Sequence, residues 1–411
     1  MITSVAYVSM HTSPLRLPGS GDAGGMNVYL DRLARTMVGR NVDVTVFTRR
    51  SDPDNPQVVE VEPGYRVVSL DAGAVERLPI SNLMPLARGF ASSVVDWIDA
   101  RDGEFDLVHS HYWLSGRTGV RVKDHLDIPL ANSFHTLGRV KDAARASNEP
   151  ASDPERLLTE EQVIAQSDCV IASTPFEFDD LLEHYAASPE RLCVSPPGVD
   201  HAIFRPGSRV EARERLGFGD ERIVLYVGRI QPHKGTSVAV EAFARMLEGL
   251  SVGADHAVLH IVGGASGPEG EDETARCRER VVAHGIEDHV RFFDPVSHPV
   301  LADHYRSADL LVMPSRSESF GLVAAEAQAC GTPVVAANTG GLAYVVDASE
   351  SGLLVNDHDP DAFAAAMRAI LEHGSFAERL RNGAIRFSQK FSWDATATRL
   401  LELYEGITAA Q

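Results

Sequence analysis

Two short segments combine residues that could bind a phosphate and a sugar together. The segment SRSESFGLVAAEAQACGTPVVA carries Glu318 and Glu326 on either side of Phe320-Gly321-Leu322. Its pattern predicts a strand followed by a helix over 322–330, and the first amides of a helix can bind a phosphate. Glu318 would lie just before this helix and Glu326 in its first turns. One carboxylate could therefore accept hydrogen bonds from sugar hydroxyls and the other from a ribose diol.

The segment YVGRIQPHKG places two cations in the loop that follows a predicted strand. Arg229 and Lys234 are five positions apart, and Gly235-Thr236 would begin the next helix. An arginine offers a bidentate contact and a lysine a point charge. The pair could flank a diphosphate at the carboxyl end of the strand.

A third segment, PGSGDAGGMNVY, contains Gly19, Gly21 and Gly24 in the G-x-G-x-x-G spacing of dinucleotide-binding loops. That motif needs its first glycine directly after a strand and an acidic residue at the end of the second strand. Here the first strand ends near Met10, and the second ends in Thr48-Arg49-Arg50. An NAD(P)-binding oxidoreductase is therefore only a remote alternative. Gly24 and Gly25, at the start of a predicted helix, would instead bring bare backbone to an anion.

Apolar strands alternate with amphipathic helices along the whole chain, which predicts parallel sheets covered on both faces. The pattern restarts after the Pro- and Gly-rich segment PPGVDHAIFRPGSR. We predict an α/β protein of two Rossmann-like domains, over 1–197 and 198–391, whose parallel sheets face a central cleft. A last helix over about 392–411 would pack back on the first domain. The strands are predicted at 4–10, 42–48, 65–70, 107–111, 129–135, 169–175, 192–198, 223–229, 257–264, 290–296, 309–315 and 333–338.

Charge and composition narrow the classes of partner. The formal net charge of -20 argues against nucleic acid or an anionic membrane as the main partner. The four cysteines are scattered, as expected of thiols in a reducing compartment. The segment MITSVAYVSMH is too short and polar for a signal peptide, and no apolar run reaches the about 18 residues of a membrane span. We expect a cytoplasmic protein with no membrane span.

Together these segments resemble the retaining glycosyltransferases of family 4. The E-x7-E pair and the G-R-x-x-x-x-K-G loop carry this resemblance, which extends over essentially the whole chain. The segments SMHTSPL, GSGDAGGMNVY, HSHYWLSG and HTLGRVK narrow it to the inositol-phosphate glycosyltransferases of mycothiol biosynthesis, and less closely to sucrose-phosphate synthases. The resemblance implies the GT-B fold, a UDP-sugar donor such as UDP-N-acetylglucosamine, and a polyol or sugar phosphate acceptor such as 1D-myo-inositol 3-phosphate.

The resemblance also assigns roles on the donor side. Arg229 and Lys234 match cations that stabilise the departing diphosphate, Glu326 a ribose ligand, and Glu318 a residue near the sugar 3-hydroxyl. The other matching donor positions are Gly25, the backbone of Ser319, Phe320, Gly321, Leu322 and Val323, and His135 in the cleft near the sugar. It favours front-face substitution, in which His135, Arg229, Lys234 and Glu318 form the catalytic set.

For the acceptor, the matching positions are His11, Asn27, Tyr112, Thr136 and Arg156. Arg156 would pair with the acceptor phosphate, assisted by the hydroxyls of Tyr112 and Thr136. One position departs from the family: a lysine that also contacts the acceptor phosphate is replaced by Ile80, with Arg77 nearby.

No metal site and no cofactor are required by this interpretation. Asp52-Pro-Asp54 and Asp359-Pro-Asp361 resemble the D-x-D pairs that hold a divalent ion in another glycosyltransferase fold, but both lie in turn-like segments. A sucrose-phosphate-synthase-like transferase and a non-catalytic sugar-nucleotide sensor remain alternatives. An effect of Mg²⁺ and a homodimer are left open.

Overall fold

The structure, a computed structural model, describes residues 1–19, 23–101, 105–145, 150–250, 256–267 and 269–410. Two open sheets organise the chain. The strands of the first sheet are β1 (Ser4–Val8), β2 (Asp43–Arg49), β3 (Val58–Glu62), β4 (Tyr65–Leu70), β5 (Leu107–His111), β6 (Leu130–Ser133), β7 (Cys169–Ala172) and β8 (Leu192–Val194). Those of the second are β9 (Arg222–Val227), β10 (Ala257–Val262), β11 (Val290–Phe293), β12 (Leu310–Met313), β13 (Val334–Ala337) and β14 (Gly352–Val355).

Helices connect and cover these strands. In chain order they are α1 (Gly25–Val38), α2 (Ala87–Asp99), α3 (Trp113–Leu126), α4 (Gly138–Ala144), α5 (Pro154–Gln166), α6 (Pro175–Tyr185), α7 (Arg209–Leu216), α8 (Thr236–Gly249), α9 (Gly270–Ala283), α10 (His298–Ser307), α11 (Leu322–Ala329), α12 (Gly340–Val345), α13 (Pro360–Glu372), α14 (Gly374–Ser388) and α15 (Trp393–Ala409). Within the described ranges, none of these helices is both long and apolar enough to cross a membrane.

The strand order is β3-β4-β2-β1-β5-β6-β7-β8 in the first sheet and β11-β10-β9-β12-β13-β14 in the second. The predicted architecture of two Rossmann-like sheets is confirmed. One strand departs from it, because β3 pairs antiparallel with β4. Only Pro63 and Gly64 separate the two strands, and a connection this short permits only a hairpin. The sequence analysis missed both β3 and β14.

Both faces of each sheet are buried, as parallel strands require. Along β1, Ala6 and Val8 pack into one core with α2 and α3, while Val5 and Tyr7 pack into another with α1 and α15. The second sheet follows the same alternation between a core shared with α8 and α13 and a core shared with α10 and α11. The carboxyl ends of the strands are thereby left free to face the space between the sheets.

The chain passes between the two sheets twice, and the two crossings touch. The amide of Val199 donates to the carbonyl of Phe391 at 3.2 Å, and Val199 forms an isolated parallel bridge with Ser392. After the second crossing, α15 packs against the first sheet, where Leu400 and Tyr404 are fully buried. The predicted domain boundary at 197 and 198 stays a prediction, but both crossings lie beside it.

A matched pair of glycine substitutions tests this double crossing. A Cβ atom at Gly198 would stand 2.2 Å from the backbone nitrogen of Trp393, whereas one at Gly374 would meet nothing within 4 Å. We expect Gly198→Ala to lower the free energy of unfolding by about 1–3 kcal/mol through overpacking. Gly374→Ala should leave it unchanged or raise it slightly.

Urea unfolding followed by tryptophan fluorescence measures the difference. Trp97, Trp113 and Trp393 all pack into the cores of the first sheet, so the signal reports on that domain. Equal midpoints for Gly198→Ala and the wild-type protein would show that the two crossings are not held in contact.

Candidate active site

A cavity of about 300 Å³ lies between the carboxyl edges of the two sheets. Its walls are the segments that follow β1, β4, β5, β6, β7 and β8 on one side and β9, β10, β11 and β12 on the other. Most of the predicted site residues line it: His11, Gly25, Tyr112, His135, Thr136, Arg229, Lys234, Glu318, Ser319, Phe320, Gly321, Leu322, Val323 and Glu326. Asn27 and Arg156 are not among the lining residues.

The loop after β9 brings two cations to the second-domain wall. Gly235, in the left-handed region with φ 71°, ends this loop and begins α8. The Lys234 ammonium pairs with Glu318 Oε2 at 2.7 Å, and both side chains are less than one-fifth exposed. Arg229 extends across the cavity, since a Cβ atom at Gly24 would lie 3.3 Å from its Nε. The lack of a side chain at Gly24 therefore leaves room for the guanidinium.

The amino ends of two helices, α11 and α1, meet in the cavity beside these two cations. Gly321, with φ 101°, precedes α11, and Gly25 begins α1 on the opposite wall. A Cβ atom at Gly25 would lie 3.3 Å from Leu322 Cδ1, so the two helix ends are in contact across the cavity. Free amides and the positive ends of the helix dipoles favour an anion here, beside Arg229 and Lys234.

Glu326 lies one turn into α11 and is buried, with 5% of its surface exposed. Its Oε2 accepts a hydrogen bond from the Tyr305 hydroxyl at 3.0 Å. Burial raises the pKa of Glu326 to about 8, more than this hydroxyl and Arg32 lower it. A carboxylate in this position can accept two hydroxyls of a diol when it is ionised.

Three of the predicted acceptor residues meet at the first-domain side of the cavity, where Tyr112 and Thr136 line it and Arg156 packs against them. The Arg156 guanidinium donates from Nη2 to the carbonyl and hydroxyl of Thr136, at 3.1 and 3.3 Å, and lies 5.4 Å from the centre of the Tyr112 ring. Its Nε donates to the fully buried Glu160 at 2.8 Å. Glu160 also accepts from the amide of Gly138, so one carboxylate fixes both the arginine and the start of α4.

Asn27 and Ile80 differ from the expected pattern. The Asn27 amide donates to Thr12 and Ser13 and accepts from the amide of Gly24, which uses the side chain to shape the entry to α1. Ile80 lines the cavity, whereas Arg77 is exposed and is not among the lining residues. The departure noted in the sequence therefore places an apolar side chain in the cavity.

The histidines of the site are neutral. Burial lowers the pKa of both His11 and His135 to about 3, and that of His111 well below its usual range. His111 lies behind His135, with its Nδ1 3.0 Å from His135 Nε2. The Ser319 hydroxyl donates to the main-chain carbonyl of His135 and so links the two domains at this residue.

Several residues of the site were missed from the sequence. Tyr29, Ser173, Pro295, Val296 and His298 line the cavity. Glu160 and His111 act behind it. His111 lies in the segment HSHYWLSG at the end of a predicted strand, and this position alone could have indicated that it lies near the site. Glu160 gave no such signal, because a carboxylate four residues after an arginine is common on helix surfaces.

The candidate metal-binding turns are local structures. Asp52 accepts a hydrogen bond from the amide of Asp54, and Asp359 from that of Asp361, at 3.1 Å in each case. Arg245 pairs with Asp361 at 2.7 Å. Nowhere in the described ranges do three or more His, Cys, Asp or Glu side chains form a group able to hold a metal ion.

The raised pKa of Glu326 makes a prediction for nucleotide binding. A carboxyl with a pKa of about 8 is mostly protonated at neutral pH, whereas a ribose diol is bound best by the ionised form. Affinity for a nucleotide sugar, whose diphosphate does not titrate in this range, should therefore rise about 20-fold between about pH 6.5 and 8.5. Calorimetry in buffers of different ionisation enthalpy should detect the released proton.

Glu326→Gln is the control for this experiment. It should bind more weakly and lose the pH dependence, while Glu177, whose pKa burial raises to about 7, stays in place. A pH dependence that persists in Glu326→Gln would assign the titration to another group.

Comparison with known proteins agrees with this geometry. Residues 24–198 match the family model described as Glycosyl transferase 4-like domain, and residues 208–387 match that described as Glycosyl transferases group 1. A D-inositol 3-phosphate glycosyltransferase of Thermomonospora curvata is 44% identical over 98% of this chain and 96% of its own.

Solved structures show the same fold. A sucrose-phosphate synthase from Thermosynechococcus elongatus is 33% identical with a TM-score of 0.91, covering 100% of both chains. Anabaena HepE, solved in complex with UDP and glucose, has a TM-score of 0.77 at 18% identity, covering 98% of this chain and 100% of its own. The chain therefore belongs to the glycosyltransferase family of these D-inositol 3-phosphate glycosyltransferases and is a sugar-transferring enzyme with the GT-B fold.

Proposed function

We propose that this enzyme transfers N-acetylglucosamine from UDP-N-acetylglucosamine to 1D-myo-inositol 3-phosphate with retention of anomeric configuration. The observation that carries the proposal is the meeting of two helix amino ends, Arg229 and Lys234 at one point of the interdomain cavity. Such a point fits the diphosphate of a nucleotide sugar. The names of the similar proteins support the acceptor.

The donor fits along the second-domain wall. The ribose would lie against Glu326, the diphosphate between α11 and α1, and the sugar against Glu318 and His135. Donor binding exchanges part of the existing Lys234–Glu318 ion pair, at 2.7 Å, for contacts to phosphate and sugar hydroxyl. Both partners are therefore held in place before the donor enters, which lowers the entropic cost of binding.

The acceptor fits along the first-domain wall. Arg156 is a cation beside Tyr112 and Thr136, and its hydrogen bonds to Thr136 and Glu160 hold it in one orientation. The acceptor phosphate would bind at this group. His11, which lines the cavity and has a buried Nδ1 without a partner among the described residues, could bind a ring hydroxyl.

The reaction would proceed at one face of the sugar. The bond from the anomeric carbon to the UDP oxygen breaks, a bond to the acceptor oxygen forms, and the acceptor's proton moves to an oxygen of the leaving phosphate. Glu318 is engaged by Lys234, and burial lowers the pKa of His11 and His135 to about 3, which makes both weak bases and supports the phosphate as the base. Catalysis then consists mainly of positioning and of stabilising charge on UDP.

The positive charge that the leaving group needs is supplied by Arg229, Lys234 and the helix ends, so the proposal requires no metal ion or other cofactor. Equal turnover with added Mg²⁺ and with EDTA is the expected result.

A second candidate is transfer to another sugar phosphate, as in a sucrose-phosphate-synthase-like enzyme. It is favoured by Ile80, which lines the cavity where the resemblance leads us to expect a lysine for the inositol phosphate. The similarity to a sucrose-phosphate synthase over the whole chain also favours it.

A donor and acceptor panel separates the two candidates. Purified enzyme is incubated with UDP-N-acetylglucosamine or UDP-glucose and with 1D-myo-inositol 3-phosphate or fructose 6-phosphate, and UDP release is measured. We expect release above donor hydrolysis only for the first donor with the first acceptor. The anomeric proton coupling of the product, read by NMR, should show retention. Turnover with UDP-glucose and fructose 6-phosphate alone would favour the second candidate.

Lys234→Ala should reduce kcat about 10²–10³-fold, since it removes one group that stabilises the departing diphosphate. Lys390→Ala removes an exposed lysine that does not line the cavity and should leave kcat unchanged. Comparable activity of the two variants would remove Lys234 from the catalytic set.

A further inference from the structure

A second histidine stands directly behind His135. His111, the last residue of β5, is fully buried, and its Nδ1 lies 3.0 Å from His135 Nε2. His135 lines the cavity, but His111 does not. The contact therefore joins the inner nitrogen of the cavity histidine to a side chain that no substrate reaches.

Only one proton can occupy this contact. Burial lowers the pKa of both rings far below neutrality, so each carries a single N–H. Either His111 Nδ1–H donates to His135 Nε2, or His135 Nε2–H donates to His111 Nδ1. The choice decides whether the other nitrogen of His135, Nδ1, carries a hydrogen or a lone pair.

The surroundings of His111 favour the first arrangement. Its Nε2 is buried without a hydrogen-bond partner, and its ring packs against the rings of His109, Tyr7 and Tyr29 at centroid distances of 4.1, 5.4 and 5.7 Å. In the second arrangement the single hydrogen of His111 would be on Nε2, where it would be buried without an acceptor. Among buried backbone groups, N–H donors without a partner are rarer than carbonyl acceptors without one. We apply the same preference to the two nitrogens of the imidazole.

We propose that His111 is a positioning residue: it donates its Nδ1–H to His135 and thereby fixes the tautomer of His135 that presents Nδ1–H to the cavity. This inference rests on the proposed function, in which His135 contacts the donor sugar. In the fixed tautomer His135 donates a hydrogen bond to a sugar oxygen, and in the other it could only accept one.

The backbone of His135 is also constrained. It lies in the left-handed region with φ 60°, and its carbonyl accepts a hydrogen bond from Ser319 of the other domain. A left-handed conformation is costly for a residue with a side chain and persists where the surroundings enforce it. The main chain is thus held from the second domain and the ring from His111.

The tautomer can be read directly from the free protein. In long-range ¹H–¹⁵N spectra of the enzyme labelled at histidine, His135 should show a protonated Nδ1 and an unprotonated Nε2. A His135→Gln variant assigns the signal by its disappearance. A protonated Nε2 on His135 would overturn the inference, and this result does not depend on which sugar or acceptor the enzyme uses.

Two variants of similar shape test the consequence for donor binding. Asn at position 111 keeps an N–H donor near the place of Nδ1, whereas Leu removes it. For His111→Leu we expect about tenfold weaker binding of UDP-N-acetylglucosamine, the value of one hydrogen bond, and a correspondingly lower kcat/KM. UDP itself, which lacks the sugar, should bind to His111→Leu as to the wild type. His111→Asn should restore sugar-nucleotide binding to within about threefold.

Three outcomes separate the possibilities. Equal losses in both variants, or a matching loss of UDP affinity, would assign His111 a general structural role and overturn the inference. Unaltered binding and turnover in His111→Leu would overturn it as well. If the sugar nucleotide fails to bind even to the wild-type enzyme, the proposed function fails, while the NMR result still decides the tautomer.

Discussion

The positive ends of two helices and two cationic side chains converge on one point of a protein whose formal net charge is -20. This convergence is the constraint on which the cleft depends. Backbone amides attract an anion without adding side-chain charge, so the surface can stay acidic while the cavity favours phosphate. It also requires glycine, because side chains at Gly24 and Gly25 would crowd Arg229 and Leu322. Two parallel sheets with facing carboxyl edges are a simple scaffold that brings α1 and α11 end to end.

The two walls of the cavity differ in the charge of the side chains that line them. The ionised groups that line it, Arg229, Lys234 and Glu318, belong to the second domain, whereas the first-domain side chains that line it are neutral. His135 is held by His111 from behind and by the Ser319 hydroxyl at its carbonyl, while Arg156, a cation that does not line the cavity, is held by Glu160. Weakly basic hydrogen-bonding groups suit a reaction in which charge develops on the phosphate side, because they orient hydroxyls without taking the proton.

Features that depend on residues close together in the sequence could be predicted, whereas contacts between separate elements could not. The cation loop and the α11 start were predictable because strand, turn and helix follow one another within a few residues. The hairpin of β3 and β4 also had a local signal, because the turn residues Pro63 and Gly64 lie between two alternating segments. It was not predicted, since β3 is not an apolar strand. The contacts of Glu160 with Arg156 and of His111 with His135 depend on how separate elements pack. For Asn27, the sequence indicated a place near the ligand but not that its amide is occupied by Thr12, Ser13 and Gly24.

The return of α15 to the first sheet has a consequence for how the protein is made. Leu400 and Tyr404 complete a core whose other members, such as Val5 and Tyr7, are synthesised near the start of the chain. The first domain to leave the ribosome therefore lacks part of its interior until α15 has been synthesised. The second domain, whose cores draw only on residues 199–391, has all its parts sooner. The nascent first domain therefore keeps an apolar face of its sheet uncovered until α15 has followed the second domain.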